Sequence, residues 1–214
     1  EINVDINGKA AHGTAPYEGL DALYITADYV KRTYADHANM FGAIHRFKDG
    51  VGDLTYAPCD IPEERTLIHF GKMESGYARN IVSDYSHLLG TVRAYDEDHF
   101  QKIIGILTKN LEGIEKEYHC TTGFSHSDGY PPVINDKVLY DEIRPVLESL
   151  EGGYEEMPLP LMISEDFSFY GQYAPAVFFV LGTGTGIPLH STSFDFEEDL
   201  LLSGFALYKA LLTR

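Results

Sequence analysis

Ile2, Val4 and Ile6 alternate with polar residues at the start of the chain, the period-two pattern of a strand with one buried face. A loop of small residues runs from Gly8 through Pro16. Leu20, Leu23, Tyr24, Ala27, Val30, Lys31 and Tyr34 then recur at helical spacing, which predicts a helix burying that face with Lys31 as the polar interruption. Residues 36–64 hold Gly42, Gly50, Gly52, Pro58 and Pro62 and read as a short strand around 41–47 plus a long excursion. Two strands follow, over 65–73 and 83–95, joined by a loop with Gly76 and Asn80. In the second of them Leu88, Gly90 and Val92 share one face, and Tyr85, His87, Leu89, Thr91 and Arg93 share the other. Phe100, Ile103, Ile104, Leu107, Leu111 and Ile114 form the clearest helical stripe, and a strand over 117–126 closes this half. The order strand–helix–strand–strand–helix–strand is a split βαβ pattern: an α+β, ferredoxin-like antiparallel sheet with two helices on one face.

Pro131-Pro132 marks the expected boundary, since tandem prolines stop both helix and sheet pairing; residues 1–130 and 131–214 are read as two domains. Beyond it, Leu139, Ile143, Val146, Leu147 and Leu150 predict a helix that Pro145 kinks or restarts. Val177-Phe178-Phe179-Val180-Leu181 is a continuous apolar run, typical of a strand buried on both faces. A closing helix is expected around 197–212. A doubly buried strand needs neighbours that this half does not supply. The chain also opens inside a strand without Met, so the expectation is that those neighbours precede Glu1.

Composition narrows the class. At 44% hydrophobic and 23% charged, the chain is that of a globular protein. Sixteen Lys and Arg against 33 Asp and Glu give a net charge of −17, without any basic run, which argues against nucleic acid and anionic membrane as partners. No apolar stretch approaches the roughly twenty residues of a membrane span, and no signal peptide is visible; a cytoplasmic location is expected. Cys59 and Cys120 stand far apart without a CxxC motif and read as ordinary reduced thiols.

The candidate chemistry is dispersed. His12 lies among small residues in Gly8-Lys9-Ala10-Ala11-His12-Gly13-Thr14-Ala15-Pro16, where a ligand can approach the backbone; a solvated surface imidazole is the competing reading. Gly182-Thr183-Gly184-Thr185-Gly186 follows the apolar run, but Ile187-Pro188 follows it in place of a helix. That excludes a dinucleotide fingerprint and leaves a tight turn at a strand's carboxyl end, where open α/β sheets bind ligands. His190 comes just after, and one His cannot make a metal site alone. Ser164-Glu165-Asp166 reads equally as a helix start with Ser164 as cap or as paired functional carboxylates. Arg93, on the strand face opposite Leu88 and Val92, suits a carboxylate ligand or plain solvation. A separate metal site from His119, His126 and Asp128 fits no common ligand spacing.

In order along the chain, the Gly8–Pro16 block with Gly19-Leu20-Asp21-Ala22, Arg79-Asn80-Ile81-Val82-Ser83-Asp84, Gly90-Thr91-Val92-Arg93, Ser164-Glu165-Asp166-Phe167-Ser168 and Leu181-Gly182 through Leu189-His190-Ser191 form a pattern. It resembles the metal-dependent amidohydrolases and metallopeptidases of the aminoacylase, hippurate hydrolase and carboxypeptidase G type, in particular the N-acyl-amino-acid amidohydrolase branch. The resemblance implies an α/β phosphorylase/hydrolase-like catalytic domain with two divalent metals, zinc or manganese, and an inserted lid through which the enzyme forms a homodimer. Residues 1–130 then correspond to the lid and 131–214 to the C-terminal part of the catalytic domain, the remaining metal ligands and the general base lying upstream of the lid. It implies hydrolysis of the amide bond of N-acyl amino acids or small peptides. His190 takes the place of a metal ligand and His12 that of a catalytic histidine serving the dimer partner's site. Asn80 and Arg93 take substrate-binding places, and Glu165, Gly182 and Gly184 lie near the substrate. A non-catalytic dimerisation or ligand-binding module is the alternative, and the 214 residues alone are expected to be inactive.

Overall fold

The computed structural model describes residues 1–41, 45–47, 54–56, 66–150, 153–157, 161–187 and 189–213, with backbone alone at 45–47 and 54–56. The chain forms two compact units, Glu1–Gly129 with Leu159–Ile163, and Tyr130–Pro158 with Ser164–Arg214.

The first unit is α+β. Its elements are β1 (Ile2–Asn7), α1 (Ala22–Phe41), the short strands β2 (His45–Phe47) and β3 (Leu54–Tyr56), β4 (Thr66–Ser75), β5 (Tyr85–Ala94), α2 (Glu97–Tyr118) and β6 (Thr121–His126). Four strands make an antiparallel sheet in the order β4-β5-β1-β6, and β2 pairs with β3 separately. Of the long excursion expected over 36–64, these two strands are the described part beyond α1; Cys59 lies outside the described residues.

The alternation in β1 sets the sheet's two faces. Ile2, Val4 and Ile6 are buried, and they stand opposite Gly90, Leu88 and Ser86 of β5. With Ile68 they form the sheet side of a core completed by Ile25 and Tyr29 of α1 and by Ile103, Leu107, Leu111 and Ile114 of α2. Each fully buried side chain of this kind contributes roughly 1.5–3 kcal/mol. The other face carries most of the polar side chains: Asp5 pairs with His87 in register, and Arg93 stands opposite Leu67.

Two helix boundaries have clear causes. The Asp96 carboxylate accepts the His99 amide and starts α2, and His119, with φ of 57°, ends it. The helix therefore includes residues 117–118, which the sequence pattern assigns to a strand. Tyr118, bonded to Asp28 of α1 at 2.9 Å, holds that last turn.

α1 also differs from expectation. Its buried face is Ala22, Ile25, Thr26, Tyr29, Thr33 and His37, while Leu23 and Tyr24 are exposed. The stripe is rotated toward polar side chains, two of which bond inside the fold. Thr26 Oγ1 donates to the Ala22 carbonyl at 2.7 Å, and His37 Nε2 lies 2.8 Å from Thr66 Oγ1.

The second unit contains α3 (Lys137–Ser149), a 3₁₀ turn at Asp166–Gln172 and α4 (Leu200–Leu212). α3 runs through Pro145 as one helix. Among the described residues the expected doubly buried strand at 177–181 forms no ladder, and Val180 and Leu181 are 59% and 47% exposed. What pairs there is a side chain. Asn135 Oδ1 accepts the Phe178 amide at 2.8 Å and its Nδ2 donates to the Phe178 carbonyl at 3.3 Å, the two bonds a neighbouring strand would supply. Leu201, Leu202, Phe205 and Tyr208 of α4 are exposed, and no α4 residue is buried. Among the described residues, no helix is long and apolar enough to cross a membrane.

Candidate functional site

The segment after β1 folds back on itself. Lys9 and Leu20 exchange both backbone hydrogen bonds at 2.8 Å, closing a loop that has a 3₁₀ turn, Pro16–Glu18, within it. Gly8 is required at its base, where a Cβ would stand 2.0 Å from the Leu20 carbonyl oxygen.

This loop lies along the segment that enters β5. The amides of Gly8, Val82 and Gly13 donate to the carbonyls of Asp84, Ala11 and Asn80 at 2.8, 2.9 and 2.7 Å. His12 thereby stands opposite Ile81 in an antiparallel bridge, one position from Asn80. Backbone bonds hold together two stretches some seventy residues apart in sequence. The entry to β5 is itself pinned, because Ser75 Oγ and Ser83 Oγ both donate to the Tyr85 carbonyl, at 2.9 and 2.7 Å.

The His12 ring is held through Nδ1, which accepts the Thr14 amide at 3.3 Å and lies 2.8 Å from Thr14 Oγ1. A backbone amide only donates, which favours the tautomer with Nδ1 unprotonated and the proton on Nε2. His12 is exposed, so Nε2–H is a donor available to a ligand.

Arg93 is not part of this arrangement. It lies near the far end of β5, opposite Leu67, eight residues beyond Tyr85. At about 3.3 Å per residue, that is ~26 Å along the strand. The polar sheet face also holds a cluster that the sequence reading did not single out. Asp5 Oδ1 accepts His87 Nδ1 at 2.7 Å and the Tyr85 hydroxyl at 3.1 Å. The period-two alternation contained the signal, since Asp5 and His87 fall on one face only once β1 and β5 are paired in register.

In the second unit, Glu165 rather than Ser164 caps the 3₁₀ turn, accepting the Phe167 amide at 3.3 Å. Asp166 follows in the first turn, so a local structural role accounts for the pair. The Leu181–Ile187 segment is a turn: Gly184 and Gly186 have φ of 70° and 68°, and Thr183 Oγ1 lies 3.0 Å from Thr185 Oγ1. No atom lies within 4 Å of where a Cβ at Gly182 or Gly184 would be. His190 is exposed and has φ of 69°, a conformation uncommon outside glycine. Among the described residues, no three His, Cys, Asp or Glu side chains gather where they could hold a metal ion, the His119, His126 and Asp128 set included. The donors described here therefore do not form a two-metal centre.

Comparison with known proteins supplies the family. The chain is 32% identical over 155 residues to uncharacterised hydrolases of Staphylococcus aureus, matching 70% of this chain and 40% of theirs. A hydrolase of Staphylococcus haemolyticus is 31% identical over the same span. Among solved structures, an aminohydrolase of methicillin-resistant S. aureus superposes with a TM-score of 0.73 at 20% identity, over 99% of this chain and 51% of that one. Aminopeptidase PepT of Bacillus cereus gives 0.70 at 19% identity, over 98% and 50%. A tripeptidase of S. aureus gives 0.67 at 24%, over 99% and 49%. The chain thus spans 40% of the length of the sequence relatives and about half of these structures. Since the model of Peptidase family M20/M25/M40 matches residues 8–214, the chain belongs to that family.

Proposed function

We propose that these residues are the lid and the C-terminal catalytic segment of a metal-dependent amidohydrolase that cleaves the amide bond of N-acyl amino acids or small peptides. The observation that supports this reading is the backbone pairing that sets His12 opposite Ile81 and Gly13 against Asn80, with the Thr14 amide aimed at His12 Nδ1 so that Nε2 is left for a ligand. Amide hydrolysis builds negative charge on the carbonyl oxygen, and a fixed neutral N–H donor stabilises it without changing protonation state. One such donor is worth about a hundredfold to a thousandfold in turnover. The Asn80 carboxamide, next to it, supplies a second neutral donor for the substrate carbonyl.

Arg93 serves a carboxylate through its planar fork. Because it lies ~26 Å along β5 from the strand's start, one substrate does not reach both it and His12 in the same lid. In a homodimer joined through the lids, His12 and Asn80 then belong to one site and Arg93 to the other. Among the described residues β4 and β6 are the edges of the sheet, and unpaired edges favour such pairing.

Two divalent metals, zinc or manganese, would polarise the amide and activate water when bound. His190 would give one ligand. The remaining ligands and the base would come from residues beyond these 214.

The test is a mixed dimer of two variants, His12→Ala and His190→Ala, in the longer chain containing these residues. Each variant alone should lose N-acyl amino acid hydrolysis, and subunit exchange should restore part of it. Confirmed exchange without recovery would overturn the trans role. Normal turnover by His12→Ala would overturn the catalytic assignment.

A further inference from the structure

A depression of about 480 Å³ adjoins the bridge between His12 and Ile81, and its lining includes Asp21, Leu23, Tyr77, Ala78, Arg79 and Ile81. Its polar groups are unequally committed. The hydroxyls of Ser75 and Ser83, also in the lining, are used on the Tyr85 carbonyl. Asp21 Oδ1 accepts the Leu23 and Tyr24 amides at 3.0 and 3.3 Å and so starts α1, while Oδ2 takes neither bond. Arg79 is exposed, and among the described residues no carboxylate lies within 4 Å of its guanidinium, whereas Arg32 and Arg144 each engage at least one.

Arg79 and Asp21 thus line the same small space without an ion pair between them, in a chain whose net charge is −17. The same lining holds apolar side chains left open to water, Leu23 at 48% and Ile81 at 44% exposure. A ligand matching this arrangement has three parts. It has a carboxylate for the five-donor fork of Arg79, an ammonium for Asp21 Oδ2, and a compact apolar body to cover Leu23, Ala78 and Ile81.

We propose that this depression binds a zwitterionic α-amino acid with an apolar side chain. Arg79 receives its carboxylate and Asp21 its ammonium. The proposal goes beyond the hydrolytic reading, because binding here needs neither metal nor turnover. A molecule blocked at its amine loses the Asp21 contact, and one amidated at its carboxyl loses the Arg79 contact. The site therefore separates free amino acids from N-acyl amino acids.

The experiment is calorimetric titration of the 214-residue chain at pH 7 with L-leucine, N-acetyl-L-leucine and L-leucinamide, repeated on two variants. Asp21→Asn keeps the helix cap, since Asn caps as well as Asp does, and removes only the charge. Arg79→Gln removes the fork from an exposed loop. Leucine should bind saturably and at least tenfold more tightly than either blocked form. Each variant should weaken leucine at least tenfold. Asp21→Asn should leave N-acetyl-leucine unchanged, and Arg79→Gln should leave leucinamide unchanged. Absence of saturable leucine binding to the wild-type chain, equal affinity for the three ligands, or wild-type leucine affinity in either variant would each overturn the proposal. All of these outcomes leave the mixed-dimer test of hydrolysis untouched, so the two readings stand or fall separately.

Discussion

Gly13 lies directly on the backbone of Asn80. Its amide donates to the Asn80 carbonyl at 2.7 Å, and a Cβ at Gly13 would be 3.0 Å from that same oxygen. The contact fixes the spacing between the His12 loop and the entry to β5. Replacing Gly13 with Ala should push the two backbones apart by a few tenths of an ångström. We expect a loss of about 1 kcal/mol, near 2–4 °C in melting temperature for a chain of this size. Amide shifts should change at His12, Asn80 and Ile81 while α2 stays as it was. An unchanged melting temperature and unchanged loop shifts would show that the spacing is not set there.

Two other glycines should respond in opposite directions. At Gly8 an added methyl meets the Leu20 carbonyl at 2.0 Å, which only backbone movement can relieve. Gly8→Ala should cost about 3 kcal/mol or more. Gly105, inside α2, has nothing within 4 Å of its Cβ position. Gly105→Ala should stabilise by about 0.5–1 kcal/mol through helix propensity. Urea melts of both variants decide the matter, and a tolerant Gly8 would contradict the loop geometry.

The His12 tautomer is open to direct measurement. Long-range nitrogen–proton correlation on the imidazole at alkaline pH should show Nδ1 as the unprotonated nitrogen, because the Thr14 amide donates to it. A proton on Nδ1 would remove the oxyanion donor that the proposed mechanism assigns to Nε2.

Acid should weaken the start of α2. The bond from the His99 amide holds the Asp96 carboxyl below its usual range, and contact with the His99 ring adds to this. A depressed folded pKa contributes stability that is fully present above the unfolded value, about 3.9, and is lost as pH falls through the folded value. Asp96→Ala should cost about 1 kcal/mol at pH 7. Its deficit relative to wild type should shrink below pH 4. A deficit constant from pH 7 to pH 2 would mean that the charge plays no part.

The elements that alternation and helical stripes predicted most clearly are those whose burial is decided locally. β1 is legible because Ile2, Val4 and Ile6 face one core, and α2 because Ile103, Leu107, Leu111 and Ile114 repeat without interruption. For α1, counting apolar residues pointed to Leu23 and Tyr24. The fold instead buried Thr26, whose hydroxyl bonds back to the Ala22 carbonyl within the helix, and His37, whose Nε2 meets Thr66 of a distant strand only once the chain is folded. The run at 177–181 has the composition of an inner strand, but a strand is a property of its neighbours, and among the described residues it is the Asn135 side chain that pairs with it. The candidate site divides in the same way. His12, Asn80 and Arg93 can be picked out as residue types along the chain. That the His12 loop is bonded to the segment holding Asn80 and Ile81 while Arg93 lies near the far end of β5 follows from backbone pairing between distant segments, because register is fixed by long-range hydrogen bonds and not by any local preference.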